Sequence, residues 1–163
     1  MMEEKGITFR SIGIIHTPFQ DLSGMPIQPS AAEGVEGKVI LDPALQEGLR
    51  DLEGFSHLIL LYYFHQAGDL ELLVKPFLDD EKHGIFATRA PRRPNGIGFS
   101  IVKLLKIQQN ILTVANVDIL DGTPLLDIKP YIPYFDRPEA DRVGWLEKNK
   151  GKVGGKLSDD RFV

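Results

Sequence analysis

Residues 84–100 read GIFATRAPRRPNGIGFS. Arg89, Arg92 and Arg93 fall within five residues, fenced by Pro91 and Pro94 and followed by Asn95-Gly96-Ile97-Gly98. Proline locks its own φ and pushes the preceding residue out of the helical region. The glycines admit positive φ or close backbone approach. The pattern predicts a stiff, non-helical loop that aims guanidinium groups at a polar or anionic ligand. The plainer alternative is that these arginines pair with the surplus of carboxylates, 23 acids against 19 bases.

Other residue types suited to chemistry are dispersed. His65-Gln66 closes an apolar run, where scaffold rigidity meets solvent. A lone histidine there also suits a hydrogen bond to nearby backbone. Asp121-Gly122-Thr123-Pro124 is a turn offering backbone N–H groups and a carboxylate. Asp127, Lys129 and Tyr131 alternate along an extended segment, putting a carboxylate, an ammonium and a phenol on one face with Leu125. A solvated Asp–Lys pair explains that face equally well.

Several chemistries are excluded or disfavoured. There is no cysteine, so disulfides and thiolate metal sites are ruled out. His16, His57, His65 and His83 lack ligand spacing on a helix. His57 and His65 lie eight residues apart, about 26 Å at strand rise, so no metal is expected. No nucleotide-hydrolase phosphate loop, dinucleotide fingerprint or nucleophile elbow occurs.

The elements that must position these residues follow from periodicity. Strands are expected over 8–15, 36–41, 57–65, 84–88, 98–107, 111–120 and 125–131. The run 57–65 reads as buried on both faces. Residues 108–110 make a hairpin turn. Asp42 caps a helix with Pro43 at its first position, and Leu45, Leu49 and Leu52 share a face. Residues 67–81 form a loop. Asp136 opens a C-terminal helix over 136–150. Many strands with short turns predict a mainly β domain, a compact β-barrel with a few short helices and a C-terminal helix and tail. Residues 1–150 form the single domain and 151–163 the tail.

The chain has 163 residues, 42% of them hydrophobic, and a net charge of −4. Bulk charge does not advertise nucleic-acid binding, but Arg89, Arg92, Arg93, Lys103 and Lys106 form a local basic block. The apolar run 58–64 is too short to span a bilayer, and residues 1–10 do not read as a signal peptide. The expectation is a cytoplasmic protein without membrane contact.

Four segments together resemble a known family: 12–18 (IGIIHTP), 54–66 (GFSHL through FHQ), 84–98 (GIFATR with RPNGIG) and 118–131 (DILDGTPLLDIKPY). They are similar to the TsaA-like (TrmO) family of S-adenosylmethionine-dependent tRNA methyltransferases, over residues 7–136. The resemblance implies a homodimeric β-barrel that methylates the N6 of threonylcarbamoyl-adenosine at position 37, beside the tRNA anticodon. It implies a cofactor site at Pro26, Ile27, Gln28, His65, Gln66, Arg89, Asp121, Gly122, Thr123 and Pro124. Ile27 stands where many members carry a basic residue. Arg92, Arg93, Asn95 and Lys129 are the expected contacts to RNA. Asp127, His65 and Tyr131 are candidates for the general base. Two rivals stand beside this reading: methylation of another RNA or a small molecule, and a non-catalytic module that binds S-adenosylmethionine as a dimer.

Overall fold

A computed structural model describes residues 5–27 and 31–152. Six strands close into an antiparallel barrel: β1 (Gly13–His16), β2 (Glu36–Leu41), β3 (His57–Tyr63), β6 (Ile97–Gln108), β7 (Ile111–Ala115) and β8 (Thr123–Pro130). Around the barrel the order is β1-β2-β7-β6-β3-β8, and β8 pairs with β1 to complete it. Two-residue strands β4 (Leu73–Val74) and β5 (His83–Gly84) pair outside it.

Alternation builds the core. Val39 and Leu41 of β2, Leu58, Leu60 and Tyr62 of β3, and Leu112 and Val114 of β7 point inward with Ile15, Val102 and Leu125. The expectation that β3 is buried on both faces is corrected. Leu58 and Leu60 are sealed, Ile59 and Leu61 are half-buried and Tyr63 is exposed. A barrel strand has one interior face, so the apolar outer residues of β3 are a surface feature.

The face shared by Leu125 and Asp127 is also corrected. Tyr62 pairs with Leu125 and Leu61 with Asp127, so Leu126 is an extra residue on β8. This bulge switches the alternation. Leu125 and Ile128 face the core, whereas Asp127 and Lys129 sit outside beside Leu61 and Ile59.

The hairpin turn is where expected, with Gln108 paired to Ile111 and Gln109 at φ 55°. Asp42 caps as expected, its carboxylate accepting from the Ala44 N–H at 3.0 Å, but the segment Pro43–Leu49 winds as a 3-10 helix. β1 starts at Gly13 and β7 stops at Ala115. Residues 84–88 are no strand beyond Gly84, because Ile85–Ala87 coils into a 3-10 turn. The C-terminal helix is reduced to α1 (Pro133–Asp136) and a separate 3-10 segment, Gly144–Lys152. Asp136 ends the first instead of opening a longer helix, its carboxylate accepting from the Ile132 N–H at 2.7 Å. Trp145 ties the later segment back to the body, donating to the Ala87 carbonyl at 2.8 Å and stacking on His83.

Gly98 shows how tight the interior is. A Cβ there would lie 2.1 Å from the Tyr62 ring, which crosses the glycine from the neighbouring strand. Tyr62 is 5% exposed and its ring packs edge-on to Phe64, so it has nowhere to move. Gly98→Ala is expected to destabilise the fold by about 3 kcal/mol, the upper part of the overpacking range. Urea unfolding with a wild-type midpoint would contradict this.

Candidate functional site

β1 and β3 run out, and β6 and β8 run in, at one end of the barrel. Four segments with candidate residues therefore gather at a single mouth: 17–27, 64–96, 116–122 and the first residues of β8. Among the described residues, two concavities open near it. One of about 280 Å³ lies between Tyr63, Phe64, Gly68, Arg93 and Asn95. The other, of about 270 Å³, lies between His16, Thr17, Glu36 and Thr113.

The arginine loop divides its labour along lines the sequence does not show. Arg93 Nη1 donates to the carbonyls of Thr88 (2.8 Å), Ile85 (3.2 Å) and Ala90 (3.4 Å). Prolines and a 3-10 turn leave those carbonyls without strand partners, and one guanidinium collects them. Arg92 is ion-paired with Glu71 and lies against Gly68, and its backbone carbonyl accepts from the Glu71 N–H at 3.2 Å. Both side chains therefore hold the loop. Arg89 is the exposed one, with its guanidinium 5.7 Å over the Phe99 ring. Asn95 is exposed at the tip.

His65 meets the β8 turn. Its Nδ1 is 3.4 Å from Thr123 Oγ1, and Thr123 donates its hydrogen to the Leu120 carbonyl at 2.6 Å. The hydroxyl therefore offers His65 a lone pair, which selects the tautomer with hydrogen on Nδ1. Nε2 is left as an acceptor. Beside it, the Asp121 carboxylate accepts from the Thr17 N–H at 2.9 Å and contacts His16 Nδ1 at 3.1 Å. The Thr17 N–H holds the Asp121 carboxyl below the usual carboxylate range, with His16 adding to it. Gly122 donates to the Ile15 carbonyl. This turn fastens β8 to β1 as well as facing the mouth. Pro26 is buried and Ile27 half-buried, while Gln28 lies outside the described residues.

Asp127 and Tyr131 do not join His65 within one chain. Asp127 is on the outer face, ion-paired with Lys129 at 2.7 Å. Tyr131 donates its N–H to the His57 carbonyl, and its ring lies edge-on to His57 at the far end of β3. Among the described residues no cluster of His, Asp or Glu is arranged to hold a metal ion. No helix there is long and apolar enough to cross a membrane.

Asp118 is a residue that chemistry-by-type reading passed over. Ser100 Oγ donates to its carboxylate at 2.6 Å, and the Tyr62 hydroxyl is 2.9 Å from Ser100 Oγ. Ser100 has a single hydrogen, committed to Asp118, so Tyr62 donates to Ser100. Burial pushes the Asp118 carboxyl up to about 6, against the Ser100 bond and the nearby Arg89 charge. Burial also raises the Tyr62 phenol. The only sequence signal was an Asp flanked by two apolar neighbours, Val117 and Ile119.

A closed antiparallel barrel with polar candidate residues gathered at one end defines a single β-barrel domain. Residues 14–137 match the tRNA-methyltransferase O N-terminal domain, and the chain belongs to that family. It is 56% identical over 156 residues to a probable S-adenosyl-L-methionine-binding protein of Pyrococcus abyssi, covering 96% of this chain and 85% of that one. It is 37% identical over 147 residues to a mouse (Mus musculus) tRNA (adenine(37)-N6)-methyltransferase, covering 85% of this chain but 34% of that one. The crystal structure of TrmO from Pseudomonas aeruginosa superposes with a TM-score of 0.73 at 39% identity, covering 86% of this chain and 62% of that one. The chain thus spans most of the archaeal relative and about a third of the mouse enzyme.

Two outcomes follow from this geometry. Arg93→Ala strips three carbonyls of their shared donor and is expected to cost about 2 kcal/mol, with hydrogen exchange accelerating through residues 85–96. An exchange pattern equal to wild type would assign the loop's order elsewhere. Asp118 binds its proton more tightly folded than at the ordinary value of about 3.9. Its contribution therefore makes stability fall as pH rises from about 4 to 6. Asp118→Asn removes this, so the variant should gain on the order of 2 kcal/mol over wild type at pH 8 and little at pH 4. Thermal melts at both pH values check the sign.

Proposed function

We propose that this protein binds S-adenosylmethionine at the mouth and transfers its methyl group to N6 of threonylcarbamoyl-adenosine at position 37 of tRNA. The observation that carries the reading is the assembly, in one chain of this family, of His65, Thr123 and Asp121 at the same mouth as an exposed arginine, Arg89. The donor set suits the cofactor: Arg89 offers unspent guanidinium donors to a carboxylate, and the 121–124 turn offers polar backbone. Bound there, S-adenosylmethionine supplies an electrophilic methyl group.

The chain's own task is alignment, exclusion of water and removal of a proton. The acceptor nitrogen of threonylcarbamoyl-adenosine is conjugated with the purine and with a carbonyl, so it attacks poorly until its proton leaves. His65 Nε2 is the proton acceptor, because Thr123 holds the ring in the required tautomer. Asp127 is spent on Lys129 within its own chain. The outer face of β3 and β6 supports a homodimer: Ile59, Leu61, Tyr63, Ile97, Phe99 and Ile101 form a contiguous apolar stripe, as partner surfaces do. Phosphate contacts fall to Lys103 and Lys106, both exposed on β6.

Labelled methyl transfer to tRNA with and without the threonylcarbamoyl group is the direct test. Transfer confined to the modified tRNA is expected, with activity falling as salt rises. His65→Ala should lower the rate by about 10²–10⁴ at saturating cofactor. Labelling of a different RNA or a small molecule instead, or cofactor binding without any transfer, would favour one of the two rivals.

A further inference from the structure

The concavity of about 270 Å³ over β2 has no part in the cofactor reading. Its surroundings follow from register. His16 of β1 pairs with Lys38 of β2, Lys38 with Thr113 of β7, and Thr113 with Lys106 of β6. The four residues make one row across four adjacent strands on the outer face. His16, Lys38 and Lys106 are exposed and Thr113 is half-buried. Strands lie about 4.8 Å apart, so Lys38 and Lys106 stand roughly 10 Å from each other with a hydroxyl between them. Leu105 is an extra residue on β6 and resets its alternation. Lys106 therefore shares the outer face with Lys103, which sits level with Ala115 and Glu36.

Folding does not consume these cations. Lys38, Lys103 and Lys106 make no ion pair among the described residues. The concavity also carries one carboxylate, Glu36, beside Lys38 and Thr113. A bare anion would meet attraction from Lys38 and repulsion from Glu36. A sugar–phosphate chain suits both signs: its phosphate takes the ammonium and hydroxyl donors, and a ribose 2′-hydroxyl donates to the carboxylate.

The groove is joined to the mouth by one turn. His16 Nδ1 contacts Asp121 at 3.1 Å, and Thr123, two residues further on, meets His65 at 3.4 Å. Two residues span at most about 7 Å. A strand lying in the groove therefore leads its next nucleotide toward His65.

We propose that this groove seats the sugar–phosphate unit beside the target nucleotide of an RNA strand. Lys38 and Lys106 contact phosphates, and Glu36 accepts the 2′-hydroxyl. The inference rests on the reading of the protein as a tRNA methyltransferase and names the surface that grips the RNA.

Fluorescence anisotropy across a salt series tests it, with an anticodon stem-loop RNA and its all-deoxy counterpart as probes. Lys38→Gln should reduce the slope of log K against log salt by about 0.7–0.9, one phosphate's share. Adding Lys106→Gln should roughly double that loss. Lys38→Arg keeps the charge and should keep the slope. Arg50→Gln removes a cation beyond the opposite end of β2, one paired with Glu47, and should change nothing. The wild type should favour the RNA over its deoxy counterpart, and Glu36→Ala should bring that ratio toward one. A wild-type slope in Lys38→Gln, or an equal loss in Arg50→Gln, overturns the inference and leaves the tRNA reading standing. An RNA preference unmoved by Glu36→Ala overturns the seat for the sugar. A wild type that does not bind the stem-loop, or binds it without salt dependence, defeats the tRNA reading and the groove with it.

Discussion

The closure of β8 onto β1 is the constraint on which the rest of the molecule depends. Without it the six strands are a curled sheet with two exposed edges. The Asp121-Gly122 turn secures the join. Asp121 donates its N–H to the Phe19 carbonyl and accepts from Thr17, while Gly122 donates to Ile15. The join also sets Thr123 at the start of β8, and Thr123 orients His65. Barrel closure and furnishing of the mouth are therefore the same event.

The arginine loop shows how a cationic cluster becomes specific. Three guanidinium groups crowded into five residues repel one another and carry fifteen donors among them. The fold gives one to the loop's own carbonyls and one to Glu71. Arg93 and Arg92 are consumed in holding the loop, and Arg89 is left exposed beside Phe99. Prolines contribute by denying the segment a strand ladder, so that its carbonyls must be met by a side chain.

Much of this was legible in the chain. The short run 36–41 and the apolar runs in 57–65, 98–107 and 111–120 marked barrel strands, and the turn residues at 108–110 and 121–124 separated them. The misreadings share a cause. Tyr63 and Ile59 looked interior because periodicity reports apolarity, not which face is covered. Residues 84–88 looked like a strand because a β-rich composition does not reveal that Arg93 lies ready to take the carbonyls. The 136–150 helix failed because its pattern offers no continuous apolar face for the barrel to bury; Trp145 anchors the later segment.

By itself the sequence determined the inventory: a barrel-forming alternation, a stiff cationic loop, a histidine at a strand end and an Asp-Gly turn. These depend on local sterics and on near-neighbour spacing, which a linear chain carries completely. Only the tertiary structure decided the roles. It sent Arg92 and Arg93 inward and left Arg89 out, and its bulge at Leu126 put Asp127 on the outer face away from Leu125. It also brought Ser100, Tyr62 and Asp118 together from three segments. Such assignments depend on register and on which donors are already spent, and both are settled only when distant strands meet.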